Sequence, residues 1–287
     1  MKKLLLGAAV IALTGCSHMY GHHQDGDVVE APEADKMAVE AVAIEEPMGD
    51  AAEVVMGDVD APGLYAALLV HADRPEGDSE DDAARKPAAV LEFAGVEAGM
   101  NVYEIEAGGG YYTELLSRAV GPEGSVMMQN PAAFDRFLGD SVEIRLADDR
   151  LANVTLRKSN FDDLAAEDGS MDMVTWMLGP HELWLVSSDG EGLGDPVASF
   201  AQIAAMLKPG GTFVVVDHAA DAGSPATTGG DTHRIDPQII KDMAAVAGLE
   251  FIGSNDLLAS SDDDHTLIVF DPEIRRKTDR FIFKFRK

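Results

Sequence analysis

The chain has 287 residues, with 22 Lys and Arg against 51 Asp and Glu, for a formal charge of −29. That surplus repels phosphate backbones and anionic headgroups, so nucleic acid is excluded as a partner. A single cysteine excludes a disulfide framework, and the length is sufficient for one sizeable hydrophobic core.

The N-terminus opens with Lys2 and Lys3 and an apolar run from Leu4 to Leu13, too short to span a bilayer. The run ends in Leu13-Thr14-Gly15-Cys16, which resembles the lipobox of bacterial lipoproteins. The resemblance implies a signal peptide over 1–15, cleavage before Cys16, and lipidation of Cys16. Acyl chains there would anchor the protein to a membrane, at about 0.8 kcal/mol per buried methylene. The competing reading is an ordinary signal peptide with a chance cysteine. Ser17 stands where an aspartate would favour inner-membrane retention. The expected location is therefore the cell envelope, periplasm-facing, at the outer membrane of a Gram-negative cell. Residues 16–60 are acidic, with Lys36 the one strong base, and have the composition of a disordered tether. His18, His22 and His23 read as part of that polar tail rather than as a metal site.

The folded domain is expected over 61–287. "APGLYAALLVHADR" and "DDAARKPAAVLEFAGV" read as helices, the second capped by Asp81 or Asp82. "GMNVYEIE" is a strand and "YYTELLSRAV" a helix; "GSVMMQN" is a strand and "PAAFDRFLG" a helix opened by Pro131. "NVTLRKS" is a third strand and "MDMVTWML" a fourth, followed by the helix "PVASFAQIAAML" and the fully apolar strand "TFVVVDHA". The Gly223–Asp231 run is flexible by composition, "DPQIIKDMAAVAG" is a helix, and "LEFIGSNDLL" is a strand. Alternation of Phe281, Phe283 and Phe285 with Ile282, Lys284 and Arg286 makes the basic C-terminal segment a strand rather than a phosphate-binding patch. Strands alternating with helices specify an α/β domain: a mostly parallel seven-stranded sheet covered on both faces.

In such sheets, ligands bind beyond the carboxyl ends of the strands. Gly108, Gly109 and Gly110 fall there, after the first strand, where the lack of Cβ atoms permits positive φ and close approach of a ligand to the backbone. A structural tight turn is the plain alternative. A dinucleotide fits poorly, because Thr113 replaces the third glycine and the second strand ends in Gln129-Asn130 rather than an acid.

"KPAAVLEFAGVEAGMNVYEIEAGGGYYTELLSRAVGPEG", "LKPGGTFVVVDH", "HRIDP" and "KTDRFIFKFRK", in this order, resemble the class I S-adenosylmethionine-dependent methyltransferases, and among them a group of bacterial predicted methyltransferases. The resemblance covers roughly Leu64 to Lys287 and implies a Rossmann-like fold and S-adenosylmethionine as cofactor. By position it implies that Glu104 lies near the methionine amino group, that Gly108 and Gly110 form the cofactor loop, and that Tyr112 and Thr113 contact the methionine carboxylate. It places Asn130 at the ribose hydroxyls and Asp162 at the adenine. Two residues depart from the pattern: Glu106 replaces the first glycine of the loop, and Asn130 replaces an acid.

Methyl transfer needs an in-line arrangement and at most one proton acceptor. His181 and Glu182 follow the fourth strand, Asp217 and His218 end the fifth, and His233, Arg234 and Asp236 lie in the loop beyond. His181, His218 and His233 are the candidate bases, because imidazole titrates near neutrality. Each also has a structural reading, and Asp236 looks like a helix cap. No His-x-x-x-His or similar spacing announces a metal site, so none is expected. The sequence therefore reads as a lipid-anchored methyltransferase for a small molecule. The alternatives are a catalytically inactive lipoprotein of the same fold with a binding or envelope-structural role and, less well matched, an oxidoreductase. No protein partner is inferable.

Overall fold

The computed structural model describes residues 63–186 and 192–287. The signal peptide, Cys16 and the tether lie outside these residues. Among the described residues no helix is long and apolar enough to cross a membrane.

Seven strands form one sheet: β1 (Asn101–Ile105), β2 (Ser125–Asn130), β3 (Val154–Lys158), β4 (Met171–Met177), β5 (Leu207–His218), β6 (Glu250–Asn255) and β7 (Arg280–Arg286). Their spatial order is β3-β2-β1-β4-β5-β7-β6. The first five are parallel, and β7 runs antiparallel between β5 and β6. The sheet is thus mostly parallel and seven-stranded, as expected. The reversal of strand order falls between β1 and β4, so the loops after these two strands flank the crevice where ligands bind in such sheets.

Burial on both faces explains the apolar run of β5. Phe213 and Val215 enter one core, while Val214 and Val216 enter the other. The same alternation places Phe281, Phe283 and Phe285 of β7 on the first side and Ile282 on the second. Among the described residues nine helices flank the sheet: α1 (Leu64–Leu69), α2 (Ser79–Arg85), α3 (Pro87–Ala94), α4 (Tyr111–Val120), α5 (Asp135–Leu138), α6 (Ser141–Leu146), α7 (Pro196–Met206), α8 (Thr228–Thr232) and α9 (Pro237–Val246). α3 and α4 cover the Val214 side; α7 and α9 cover the Phe213 side.

The helical segments depart from expectation in four places, each with a local cause. The helix expected over "DDAARKPAAVLEFAGV" is two, because Pro87 forces Lys86 out of the helical region to φ 44°. "PAAFDRFLG" is a 3₁₀ turn over Ala132–Phe134 followed by the single turn of α5, stopped at Gly139 with φ 55°. α6 has only Val142 and Arg145 buried, too few to leave an apolar period in the sequence. The Gly223–Asp231 run is also more ordered than its composition implies, since α8 starts inside it. Gly229 sits so close to the His181 carbonyl that a Cβ would collide with it. Asp236 is the cap expected, its side chain accepting from the Gln238 N–H.

Phe285 is fully buried and stacks on Phe213, with ring centroids 5.8 Å apart. Truncation of Phe285 to Ala leaves a cavity between β5, β7 and the helices above. Chemical denaturation should show a loss of about 3–5 kcal/mol.

Candidate functional site

The loop after β1 turns sharply through three left-handed residues, Glu106 (φ 55°), Gly108 (φ 59°) and Gly110 (φ 84°), before α4 begins. Gly110 is further required by packing, since a Cβ there would lie 2.9 Å from Cγ of Arg145. Glu106 holds a conformation that costs a non-glycine residue about 1–2 kcal/mol. What holds it is the end of β2. Gln129 Oε1 accepts the Glu106 N–H at 3.0 Å, while Gln129 Nε2 donates to the Ser159 carbonyl at 2.7 Å. Asn130 Oδ1 accepts the Gly108 N–H at 2.8 Å, and Asn130 Nδ2 returns to the Gly108 carbonyl at 2.9 Å. Asn130 therefore uses both ends of its amide on the loop.

The Glu106 carboxylate turns away from the loop. Its Oε2 accepts the Trp176 indole N–H at 2.8 Å and lies against Gly179, where a Cβ would collide with it. Burial, reinforced by the negative charge of Glu182, pushes the Glu106 pKa well above the carboxylate range. The Glu106 carboxyl is thus held by Trp176 rather than by the main chain of the glycine turn.

Glu104 and Thr113 are paired with each other. Both are buried, and the Thr113 hydroxyl donates to Glu104 Oε2 at 2.5 Å. The Tyr112 hydroxyl lies 3.4 Å from the Arg85 carbonyl. The Asp162 carboxylate accepts the Asp195 N–H at 2.9 Å, just before α7, and lines neither cavity of the loop. Asn160, two residues before it, lines the larger cavity.

Two cavities meet at the loop, with Glu106 and Gly108 in the wall of both. One, of about 410 Å³, is lined by Arg85, Glu104, Gly109, Tyr111, Tyr112 and Arg145 among others. The larger, of about 1010 Å³, is lined by Phe134, Phe137, Leu185, Leu193 and Phe270, with Asn160, Glu182 and His233 as polar members. The arginines and phenylalanines of these walls were not singled out from sequence. They come from short helices and loops whose joint position only the tertiary fold sets.

Behind the larger cavity stands a cluster of histidines and carboxylates. Pro180–Trp184 form a 3₁₀ turn directly after β4, and this turn carries His181 and Glu182. Asp217, fully buried near the end of β5, holds the turn in place. Its Oδ2 accepts the His181 N–H at 2.8 Å, and its Oδ1 lies 2.7 Å from His181 Nδ1 and accepts the His218 N–H. His233 (φ 56°) ends α8 and brings Nδ1 to 3.2 Å from His181 Nε2 and 3.1 Å from Glu182 Oε1. Burial alone lowers the His181 pKa, but the Asp217 carboxylate, helped by Glu182, outweighs it and raises the value. His218 is separate. Its Nδ1 meets the Thr278 hydroxyl at 2.8 Å, and its ring lines a cavity of about 180 Å³ beside Arg275, Arg276 and Arg280. Burial, with the positive charge of His181, pushes the His218 pKa well down. Of the three candidate bases, the fold thus unites His181 and His233 and leaves His218 facing elsewhere. Arg234 and Asp236 are structural: Arg234 is fully buried and makes a two-pronged pair with Asp263, both bonds 2.9 Å.

Glu104 yields a pH test. Burial raises its pKa to about 8, partly offset by the Thr113 hydroxyl. The folded value lies above the unfolded one, so the contribution to stability is complete below the ordinary carboxylate value. It is lost as pH rises toward about 8. In that window stability should fall by up to about 1.4 kcal/mol per pH unit. Glu104→Gln keeps an acceptor for Thr113 and removes the titration. Urea denaturation at pH 5 and pH 8 should show a smaller loss in the variant than in the wild type.

No family model matches the sequence, and no curated protein matches it. Solved structures do. The chain is similar to a SAM dependent methyltransferase from Aquifex aeolicus at 17% identity and TM-score 0.51, over 72% of this chain and 95% of that one. It is similar to CrArsM, an arsenic(III) S-adenosylmethionine methyltransferase from Chlamydomonas reinhardtii, at 19% identity and TM-score 0.50, over 79% of this chain and 73% of that one. It is also similar to the cyclase SpnF at 18% identity and TM-score 0.51, over 71% of this chain and 81% of that one. At these identities the likeness is one of architecture. The chain has the Rossmann-like fold of the class I methyltransferases.

Proposed function

We propose that this protein is an S-adenosylmethionine-dependent methyltransferase acting on a small, largely apolar molecule, and that it is held at the cell envelope by lipidation of Cys16. The observation that carries the reading is the left-handed loop Glu106–Gly110, pinned by Gln129 and Asn130 and opening on both cavities beyond β1. Glycine backbone exposed at a helix N-terminus suits an anionic ligand group.

The residues present fit the cofactor. Arg85, Tyr111 and the start of α4 line the 410 Å³ cavity and suit the methionine carboxylate. Gly108, Phe134 and Asn160 line the larger cavity past the end of β2, where a nucleoside would lie. S-adenosylmethionine supplies a methyl group on a sulfonium: an acceptor lone pair forms the new bond to carbon as the S–C bond breaks, leaving S-adenosylhomocysteine and a proton. The phenylalanines and leucines of the larger cavity exclude water and hold an apolar acceptor. Glu182 and His233 are among the polar groups in that wall, placed to orient the acceptor or receive its proton.

A second reading, a binding lipoprotein of the same fold without catalysis, is favoured by one observation: the Asn130 amide is tied to Gly108 at both ends. Calorimetric titration separates the two. S-adenosylmethionine and S-adenosylhomocysteine should bind the full chain with micromolar affinity, and Gly108→Val, which forces a β-branched residue to φ 59°, should abolish binding. Absence of binding at millimolar cofactor would sink the methyltransferase reading. For the anchor, the wild-type chain should fractionate with membranes and carry a diacylglyceryl group on Cys16. Cys16→Ser should lack the acyl mass in a mass spectrum.

A further inference from the structure

We propose that His181, Glu182 and His233 bind one divalent first-row transition-metal ion, in the wall of the large cavity, as a two-histidine, one-carboxylate centre. The donor atoms of the three residues all lie within 4.8 Å of one another. The pairwise distances are more telling. His181 Nε2 is 3.2 Å from His233 Nδ1 and 3.6 Å from Glu182 Oε1, and His233 Nδ1 is 3.1 Å from that same oxygen. Ligands at about 2.1 Å from an ion are separated by about 3.4 Å in a tetrahedron and about 3.0 Å along an octahedral edge. The triangle has the size of one face of a coordination polyhedron.

The supporting residues point the same way. The Asp217 carboxylate, 2.7 Å from His181 Nδ1, accepts a hydrogen bond from Nδ1–H, which leaves the Nε2 lone pair facing the cluster. A carboxylate behind a histidine in this manner orients the ring and raises its basicity as a ligand. Glu182 is 8% exposed, yet its second oxygen, Oε2, has no hydrogen-bond partner among the described residues. The three ligand atoms converge on one point. A proton bridges one pair of them, whereas a cation serves all three. Phe270 packs on the His233 ring at 4.8 Å and restricts its rotation.

Ligand chemistry narrows the ion. Two imidazoles with one carboxylate suit zinc, iron or nickel rather than calcium or magnesium, which take oxygen ligands. Glu182 and His233 line the 1010 Å³ cavity, so the remaining coordination positions face it and are open to an oxygen donor of whatever molecule lies there. Sequence spacing concealed the set, because His233 lies 51 residues beyond Glu182 and joins it only through the packing of α8 on the turn after β4.

The test uses the full chain stripped with a chelator, in a His18→Ala/His22→Ala/His23→Ala background that removes the imidazoles of the N-terminal tail. Zinc chloride is titrated calorimetrically, and cobalt(II) absorption reports the ligand field. One ion should bind per chain. Glu182→Gln and His233→Ala should each weaken zinc at least tenfold, and Asp217→Asn should weaken it by about 10–100-fold. Circular dichroism checks that each variant folds. If His233→Ala does not fold, the isosteric Glu182→Gln decides the question. Failure of the wild type to bind zinc or cobalt overturns the proposal, as does zinc affinity unchanged in a folded variant. Metal is the only probe, so the outcome is independent of whether S-adenosylmethionine binds.

Discussion

One buried carboxylate organises the functional end of the sheet. Asp217 lies on β5, fully enclosed, and accepts from the backbone of His181, the ring of His181 and the backbone of His218. A carboxylate removed from water is costly unless hydrogen bonds replace its hydration. The 3₁₀ turn after β4 has its geometry because it supplies two of those bonds. α8 packs on that turn through Gly229, and His233 is delivered by the end of α8. The wall of the large cavity is thus assembled around the solvation of a single charge.

The other wall follows a similar logic with neutral groups. Gln129 and Asn130, at the end of β2, bind main-chain atoms of the neighbouring loop instead of pointing into the crevice. They stabilise a turn whose first left-handed residue is Glu106 rather than glycine, and the Glu106 side chain reaches Trp176 behind the loop. The groups left on the wall of the crevice at this loop are main-chain atoms of the glycine turn and the apolar side chains of the larger cavity. The end of β2 thus gives rigidity to the loop beside it.

The sheet was legible in the sequence because its signals are short-range. Alternation in β7, the apolar run of β5 and the glycines after β1 each follow from a periodicity or a backbone requirement within a few residues. The histidine and carboxylate loops were legible for the same reason, since strand ends in a parallel sheet face one crevice. What could not be read was which side chains on those loops would meet. His218 follows Asp217 directly, yet faces an arginine-lined cavity, while His233 approaches His181 from a separate loop. Asn130 and Asp162 occupy the strand ends that the resemblance requires, but their side chains serve the loop beside Gly108 and the residue before α7. Position along a strand is local information; the rotamer a side chain adopts depends on neighbours distant in sequence.

The placement of β7 has a consequence for the order in which the domain assembles. It follows β6 in the chain but lies between β5 and β6 in the sheet. During synthesis, β1 to β5 can pair as they emerge, whereas β6 has no strand to join until Arg280–Arg286 has been made. Until then the edge of β5 is open, and the aromatic side chains that will seal it are absent. The sheet therefore closes by insertion rather than by growth at its edge. A chain of this topology reaches its final form only after its late segment arrives.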